Sequence, residues 1–352
     1  MKILYSFNKN GFEADYWNRE IAAASDKDIE FIPFNHDPYV PTHKYIRAQL
    51  LDNLYYARHE GLQRLYSDLK ARLVESRADV LLVDNCPPYH PEFLRKLDIY
   101  KVLRVCDGPA AAYDRDFAYV HAYDHVLYHT RAYSRDLTMP EKLSYCGAKR
   151  HDFWPLALFD AFFDPRLTES EVASFRRDID VIFVGALHPD KMPLLAAVKK
   201  AFGNRFRIYG LASLKRNVYF NLKYGLPQWV RPIDFKDYIP LYRRAKIGVN
   251  VHLRGKYTVG GYRLFDLPGN GVAQITDGGE YVSDFYEPGI EVDTYETAEQ
   301  LISRVDYYLS RPADREDLAR HAWNRVMKEH RIGTRLRQLR PLLSPALAGR
   351  GR

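Results

Sequence analysis

Short apolar runs separated by helical stretches constrain this chain most. Val80–Val83 (VLLV) and His125–Tyr128 (HVLY) are compact and unbroken. Runs of that kind suit strands buried on both faces, which occur in parallel sheets covered by helices. Further strand candidates in the first half are Lys2–Phe7, Glu30–Pro33, Val102–Cys106 and Lys142–Cys146. The second half offers Asp180–Gly185, Phe206–Gly210, Ile247–Val251 and Val272–Thr276. Helical spacing lies between them: Tyr45–Glu75, with Gly61 as a candidate break, then 190–202, 235–245, and 298–330 divided at Arg311-Pro312. Strand and helix in alternation predict βαβ units, hence an α/β chain with doubly wound sheets. A length of 352 residues accommodates two such domains. The aromatic, proline-punctuated segment Phe153–Pro165 reads as the connection between them. The expected layout is an N-terminal domain over 1–155, a C-terminal domain over 156–335 and a basic tail over 336–352. The two domains are expected to face a central crevice, at the carboxyl ends of their strands.

Composition narrows the partners. Apolar residues make up 46% and charged residues 28%, ordinary values for a folded protein. No apolar run reaches the roughly 18 residues of a membrane span. The first residues read as a strand and carry no signal-peptide pattern. Cys86, Cys106 and Cys146 lie far apart, without zinc-ligand spacing or a disulfide framework, so reduced thiols and a cytoplasmic location are expected. The net charge of +7 favours anionic partners: nucleotide sugars, phospholipid surfaces or nucleic acid. No His/Cys/Asp cluster points to a metal site, and no Walker loop is present.

The richest stretch runs from Lys246 to Glu291. An apolar strand ends at Asn250 and His252. A glycine-containing loop with Arg254, Lys256, Gly260 and Gly261 follows. Arg263, Phe265 and Asp266 then stand at an expected helix start, before Gly269, Gly271 and a second strand. Strand, glycine loop, helix N-terminus and acidic residue together suit a nucleoside diphosphate. Backbone N–H groups hold phosphates, and a carboxylate reaches ribose hydroxyls.

Several motifs occur in a telling order. Asp180-Val181-Ile182-Phe183-Val184-Gly185 comes first, then Tyr209-Gly210, then Leu241 to His252 (LYRRAKIGVNVH). Arg263, Phe265, Asp266, Gly269, Gly271 and Thr276 follow, then Tyr286, Gly289, Glu291 and Tyr295. Tyr307-Tyr308-Leu309, Arg315, Ala319, Arg325-Val326 and His330 complete the series. Over about residues 178–335 this succession resembles the GT-B glycosyltransferases of the group-1 type, in particular their CgeB-like (spore maturation protein) branch. The fold implied is GT-B, two Rossmann-like domains. The activity implied is transfer of a sugar, of the hexosyltransferase type, from a nucleotide-diphosphate donor such as a UDP-sugar to a hydroxyl acceptor, without a metal. The sugar donor is a co-substrate, so no resident cofactor is implied. The acceptor stays open among a saccharide, a lipid-linked glycan, a small molecule and a modified nucleobase. Asp266 stands where the family carries Glu, and Pro268-Gly269-Asn270-Gly271 replaces its usual Ala-x-Gly.

The resemblance nominates site residues. Arg263 is the leading candidate for the diphosphate, with Arg254, Lys256 and Lys191 behind it. Asp266 is assigned to ribose hydroxyls, and Gly260 and Gly261 to backbone contacts with phosphate. Gly185, Tyr209, Gly210, Asn250, His252 and Phe265 complete the donor set. For a general base the candidates are Asp107 and His129, with Glu13 and Asp15 behind them. The loop Asn8–Gly11 is a further candidate lining. Two other readings stand beside this one. The first is a DNA-modifying glycosyltransferase or a nucleic-acid binder, on the basic charge and the tyrosines. The second is a nucleotide-sugar-binding pseudoenzyme, on the shortened acidic residue.

Overall fold

The computed structural model describes residues 1–40, 58–84, 88–105, 117, 119–134, 136–210, 212–234, 237–252, 261–278 and 280–348. The chain divides into two compact units, Met1–Leu156 with Ile332–Arg352, and Ala157–Arg331. The division falls inside the aromatic segment Phe153–Pro165.

The N-terminal unit is built on β1 (Lys2–Phe7), β2 (Glu30–Asn35), β3 (Val80–Val83), β4 (Tyr100–Val105) and β5 (His125–Tyr128). A short antiparallel pair, β6 (Ala132–Ser134) and β7 (Leu137–Thr138), precedes β8 (His151–Phe153). The main sheet is parallel, in the order β2-β1-β3-β4-β5-β8. Every residue of β3, β4 and β5 is buried, including Lys101 and Arg104 of β4 and His125 of β5, and the all-apolar run of β3 reflects that burial.

The helix Glu60–Ser76 buries Leu62, Leu65, Tyr66, Leu69 and Leu73, a stripe at helical spacing. His59 caps its start, with Nδ1 accepting from the Leu62 N–H at 3.2 Å. Gly61 falls in its first turn, and residues 45–57 of the expected helical stretch lie outside the described residues. The expected strand Lys142–Cys146 is instead part of the helix Met139–Tyr145. Thr138 and Glu141 form a capping box there, with Pro140 in the first turn, and this local hydrogen bonding outweighs a short apolar run. The stretch 336–352, expected as a basic tail, holds the end of the helix Ile332–Arg337 and the helix Leu339–Ala348. Leu336, Leu339 and Leu343 are fully buried. The Trp154 indole N–H donates to the Arg335 carbonyl at 2.9 Å, tying the helix Ile332–Arg337 into this unit.

The C-terminal unit holds β9 (Ile179–Val184), β10 (Phe206–Tyr209), β11 (Ala245–Asn250), β12 (Ala273–Asp277) and β13 (Asp293–Tyr295). They form a parallel sheet in the order β10-β9-β11-β12-β13. Helices Met192–Phe202, Leu214–Tyr224, Tyr238–Arg244 and Arg263–Gly269 intervene. Ala298–Ser310 and Pro312–Glu329 follow, parted where expected because Pro312 has no N–H to continue the first helix. Among the described residues no helix is long and apolar enough to cross a membrane.

Candidate functional site

In the C-terminal unit the chain leaves β9 to one side for β10, then returns to the far side of β9 for β11. The order therefore reverses between β9 and β11. In open α/β sheets such a switch point opens a crevice at the carboxyl ends of the two strands. Those ends are Val184-Gly185 and Asn250-Val251-His252.

Arg263 spans that point. It is the first residue of the helix Arg263–Gly269, and its guanidinium reaches back over both strand ends. Nε–H donates to the Val184 carbonyl at 2.7 Å, and Nη1–H to Asn250 Oδ1 at 2.9 Å. The group lies 4.6 Å from the centre of the Phe183 ring. Glycine at 185 makes this possible: a Cβ there would sit 1.8 Å from Arg263 Nη2. Gly210 serves the same corner, since its Cβ would sit 2.1 Å from the Gly185 carbonyl oxygen. Tyr209 closes the edge, its carbonyl accepting from the Gly185 N–H at 3.1 Å.

Asn250 is held from two sides. Its side-chain amide donates to Gln274 Oε1 at 3.3 Å, and its carbonyl accepts from the Tyr295 hydroxyl at 3.0 Å. The arginine's acceptor is thus fixed before any ligand arrives.

Two more polar groups converge here. Lys191 is 8% exposed. Burial, then the nearby Arg263 charge, pull its ammonium down to about 8, with Asp277 opposing. At neutral pH it stays mostly charged, and an incoming anion would offset both the burial and the neighbouring arginine's repulsion. His252 is clamped by Asp277: its N–H donates to Oδ2 at 2.9 Å and Nδ1 pairs with Oδ1 at 2.5 Å. Nδ1–H therefore faces the carboxylate, and Nε2, buried without a hydrogen-bond partner, is the atom left for other chemistry.

Asp266 lies one turn into the same helix, 3% exposed. Among the described residues its Oδ1 has no hydrogen-bond partner. Burial raises its carboxyl to about 8, although Arg263 pulls the other way. In the free protein this group is largely protonated at neutral pH. Phe265 packs against Phe285 and His330 with ring centres 5.4 and 5.3 Å away, and is fully buried. Its ring anchors the helix that carries Arg263. Gly261 lies just before that helix, and a Cβ there would meet nothing within 4 Å among the described residues. Arg254, Lys256 and Gly260 lie outside the described residues.

The N-terminal unit has its own polar cluster along the carboxyl ends of its strands. His129 follows β5, is 1% exposed and places Nδ1 3.2 Å from the Val105 carbonyl. A carbonyl cannot donate, so Nδ1 carries the proton and Nε2 holds the lone pair, buried without a partner. Burial lowers this imidazole to about 4, which makes it a weak base.

The sequence does not disclose a network at the β1 and β2 ends of the same sheet. Ser6 Oγ lies 2.9 Å from His36 Nδ1 and 2.6 Å from the Tyr89 hydroxyl. Burial depresses His36 to about 3 and leaves its Nε2 without a partner. Arg104 pairs with Asp84 at 2.9 Å and lies over the Trp154 ring at 5.0 Å. The only sequence signal for these residues was their place at strand ends. The loop Asn8–Gly11 is tied down, with Lys9 N–H donating to Asn35 Oδ1 at 3.2 Å and its ammonium 3.4 Å from Glu13. Asp15 is exposed. Asp107 lies outside the described residues. Among the described residues no group of three or more His, Cys, Asp or Glu side chains is arranged to hold a metal.

Residues 191–340 match the family described as glycosyl transferase-like. No curated protein matches the chain in sequence. Solved structures match along its whole length. Sucrose-phosphate synthase from Thermosynechococcus elongatus superimposes with a TM-score of 0.62 at 13% identity, covering 99% of each chain. Anabaena HepE in complex with UDP and glucose also gives 0.62, at 12% identity, over 98% of this chain and 100% of that one. A putative UDP-N-acetylglucosamine 2-epimerase from Listeria monocytogenes gives 0.57 at 14% identity, over 97% and 96%. At these identities the likeness is one of fold, and the fold is the GT-B glycosyltransferase fold.

Proposed function

We propose that this chain is a glycosyltransferase of the CgeB-like type its motifs resemble. It transfers a hexosyl group from a nucleoside diphosphate sugar to a hydroxyl acceptor, with protein cations in place of a metal. The observation that carries the reading is Arg263 spanning the β9–β11 switch point beside the buried Lys191. Transfer breaks the bond between the anomeric carbon and the β-phosphate oxygen, and the departing nucleoside diphosphate takes the electron pair. A fixed guanidinium and a buried ammonium stabilise that charge where it develops. His252 Nε2 is available to a phosphate or sugar hydroxyl, and the Asp266 carboxyl to the ribose. For the acceptor's proton the candidates are Asp107 and His129. The UDP-bound state of HepE supports a uridine donor.

The test is a thermal-shift panel of UDP, GDP and dTDP and their glucose conjugates. A ligand at about 100 times its Kd stabilises by about 2.7 kcal/mol, so the right donor stands out. Arg263→Ala should cut transfer or donor hydrolysis by about 10²-fold or more. No shift with any nucleoside diphosphate, or full activity in Arg263→Ala, would overturn the proposal.

A further inference from the structure

Between Lys191 and Ile233 the sequence contains no Asp or Glu, while Lys191, Lys199, Lys200, Arg205, Arg207, Lys215, Arg216, Lys223 and Arg231 all fall there. The helix Leu214–Tyr224 lies in the middle of this stretch. Its inner face is anchored by the buried Asn217 and Phe220. Its outer face carries Leu214 at 70% exposure and Leu222 at 80%, with Val218 and Tyr219 between them. Positions 214, 218 and 222 are successive i, i+4 neighbours, so they form one continuous apolar stripe.

Trp229, 58% exposed, extends the patch. Its loop is fixed to the helix, because the Asn217 amide donates to the Val230 carbonyl at 3.1 Å and accepts from the Val230 N–H at 2.8 Å. The Asn221 amide also donates to the Leu226 carbonyl, at 2.9 Å. Exposed Lys215, Arg216, Lys223 and Arg231 border the stripe. None of the four forms an ion pair among the described residues.

A helix and its loop with leucines and a tryptophan outward, which carry cations and no carboxylate, have the chemistry of an interfacial membrane element. We infer that this face docks on an anionic phospholipid surface, lying in the headgroup plane with Leu214, Val218, Leu222 and Trp229 inserted. Charge selects this occupant. A second copy meeting the same face would set the four cations against four more, and a polynucleotide would leave the aliphatic stripe in water. An anionic bilayer matches both the cations and the apolar stripe.

The test uses the full chain and sedimentation with vesicles of phosphatidylcholine containing about a third phosphatidylglycerol, against pure phosphatidylcholine. Wild type should partition onto the anionic vesicles only, and less so as salt rises. Each cation near such a surface contributes about fivefold, so Lys215→Gln/Lys223→Gln should weaken partitioning by roughly 25-fold. Leu214→Glu/Leu222→Glu should weaken it at least tenfold. Because the substituted side chains are exposed, both variants should keep the wild-type melting temperature. Trp229 should shift its emission to the blue on binding, a change absent in Trp229→Phe. The inference falls if anionic vesicles do not bind the protein, or if both double variants bind as wild type does. It also falls if Leu214→Glu/Leu222→Glu splits a solution dimer while vesicles stay unbound, or if only polynucleotide binds.

Discussion

Replacing Asp266 by Asn tests the electrostatics of the donor-site helix directly. The carboxyl is 3% exposed and raised from 3.8 to about 8 by burial. Each pKa unit corresponds to about 1.4 kcal/mol between the two protonation states. Because the folded value lies above the unfolded one, the stability carried by the protonated carboxyl is complete below about pH 4. It is lost as pH rises, and is gone once pH passes about 8. Integrated between pH 5 and pH 9, wild type should lose about 4 kcal/mol from this group alone. Asn keeps the shape and cannot ionise. Its amide brings donors that need partners, a cost of about 1–3 kcal/mol that does not depend on pH. Asp266→Asn should therefore be equal to or less stable than wild type at pH 5, and more stable at pH 9. Urea denaturation of both proteins at pH 5, 7 and 9, followed by circular dichroism, reads the difference. A stability difference that stays flat across that range would refute the buried, protonated carboxyl.

Gly185→Ala should displace the Arg263 guanidinium, since the new Cβ would lie 1.8 Å from Nη2, whereas Gly261→Ala meets nothing within 4 Å among the described residues. The first should cost about 1–3 kcal/mol and shrink the nucleoside diphosphate thermal shift, and the second should leave both unchanged. Lys191, lowered to about 8, must be charged to hold a diphosphate. Calorimetric titration from pH 6.5 to 9.5 should show UDP affinity falling toward tenfold per pH unit above about 8, with that dependence missing in Lys191→Met.

Much of the fold was legible because buried parallel strands are written plainly. Val80–Val83 and His125–Tyr128 match to the residue, since nothing in those runs can face water. Lys142–Cys146 misled because its apolar residues were read without Thr138 and Glu141, whose reciprocal bonds start a helix. The helix Leu214–Tyr224 went unread although Ser213 and Gly225 mark its ends and Leu214, Val218 and Leu222 fall at helical spacing. In the site, Arg263 was legible as a cation at a helix start. Its dependence on Gly185, about eighty positions earlier, was not, because that fit exists only once β9 and β11 lie side by side. The His252–Asp277 clamp and the Ser6–His36–Tyr89 network were hidden for the same reason.

The N-terminal unit is made from two separated lengths of chain, and this orders events during synthesis. Its first length ends at Leu156, and the helices that complete it begin at Ile332. Ribosomes add about 5–20 residues per second, so the stretch from Ala157 to Arg331 takes roughly 10 to 35 s to emerge. Throughout that interval the Trp154 indole lacks the Arg335 carbonyl, and the helix Gly11–Ala23 lacks its neighbour Ile332–Arg337. The unit made first is thus finished last. The continuous C-terminal unit can close while its predecessor still waits, exposed to chaperones and proteases, for the chain's final helices.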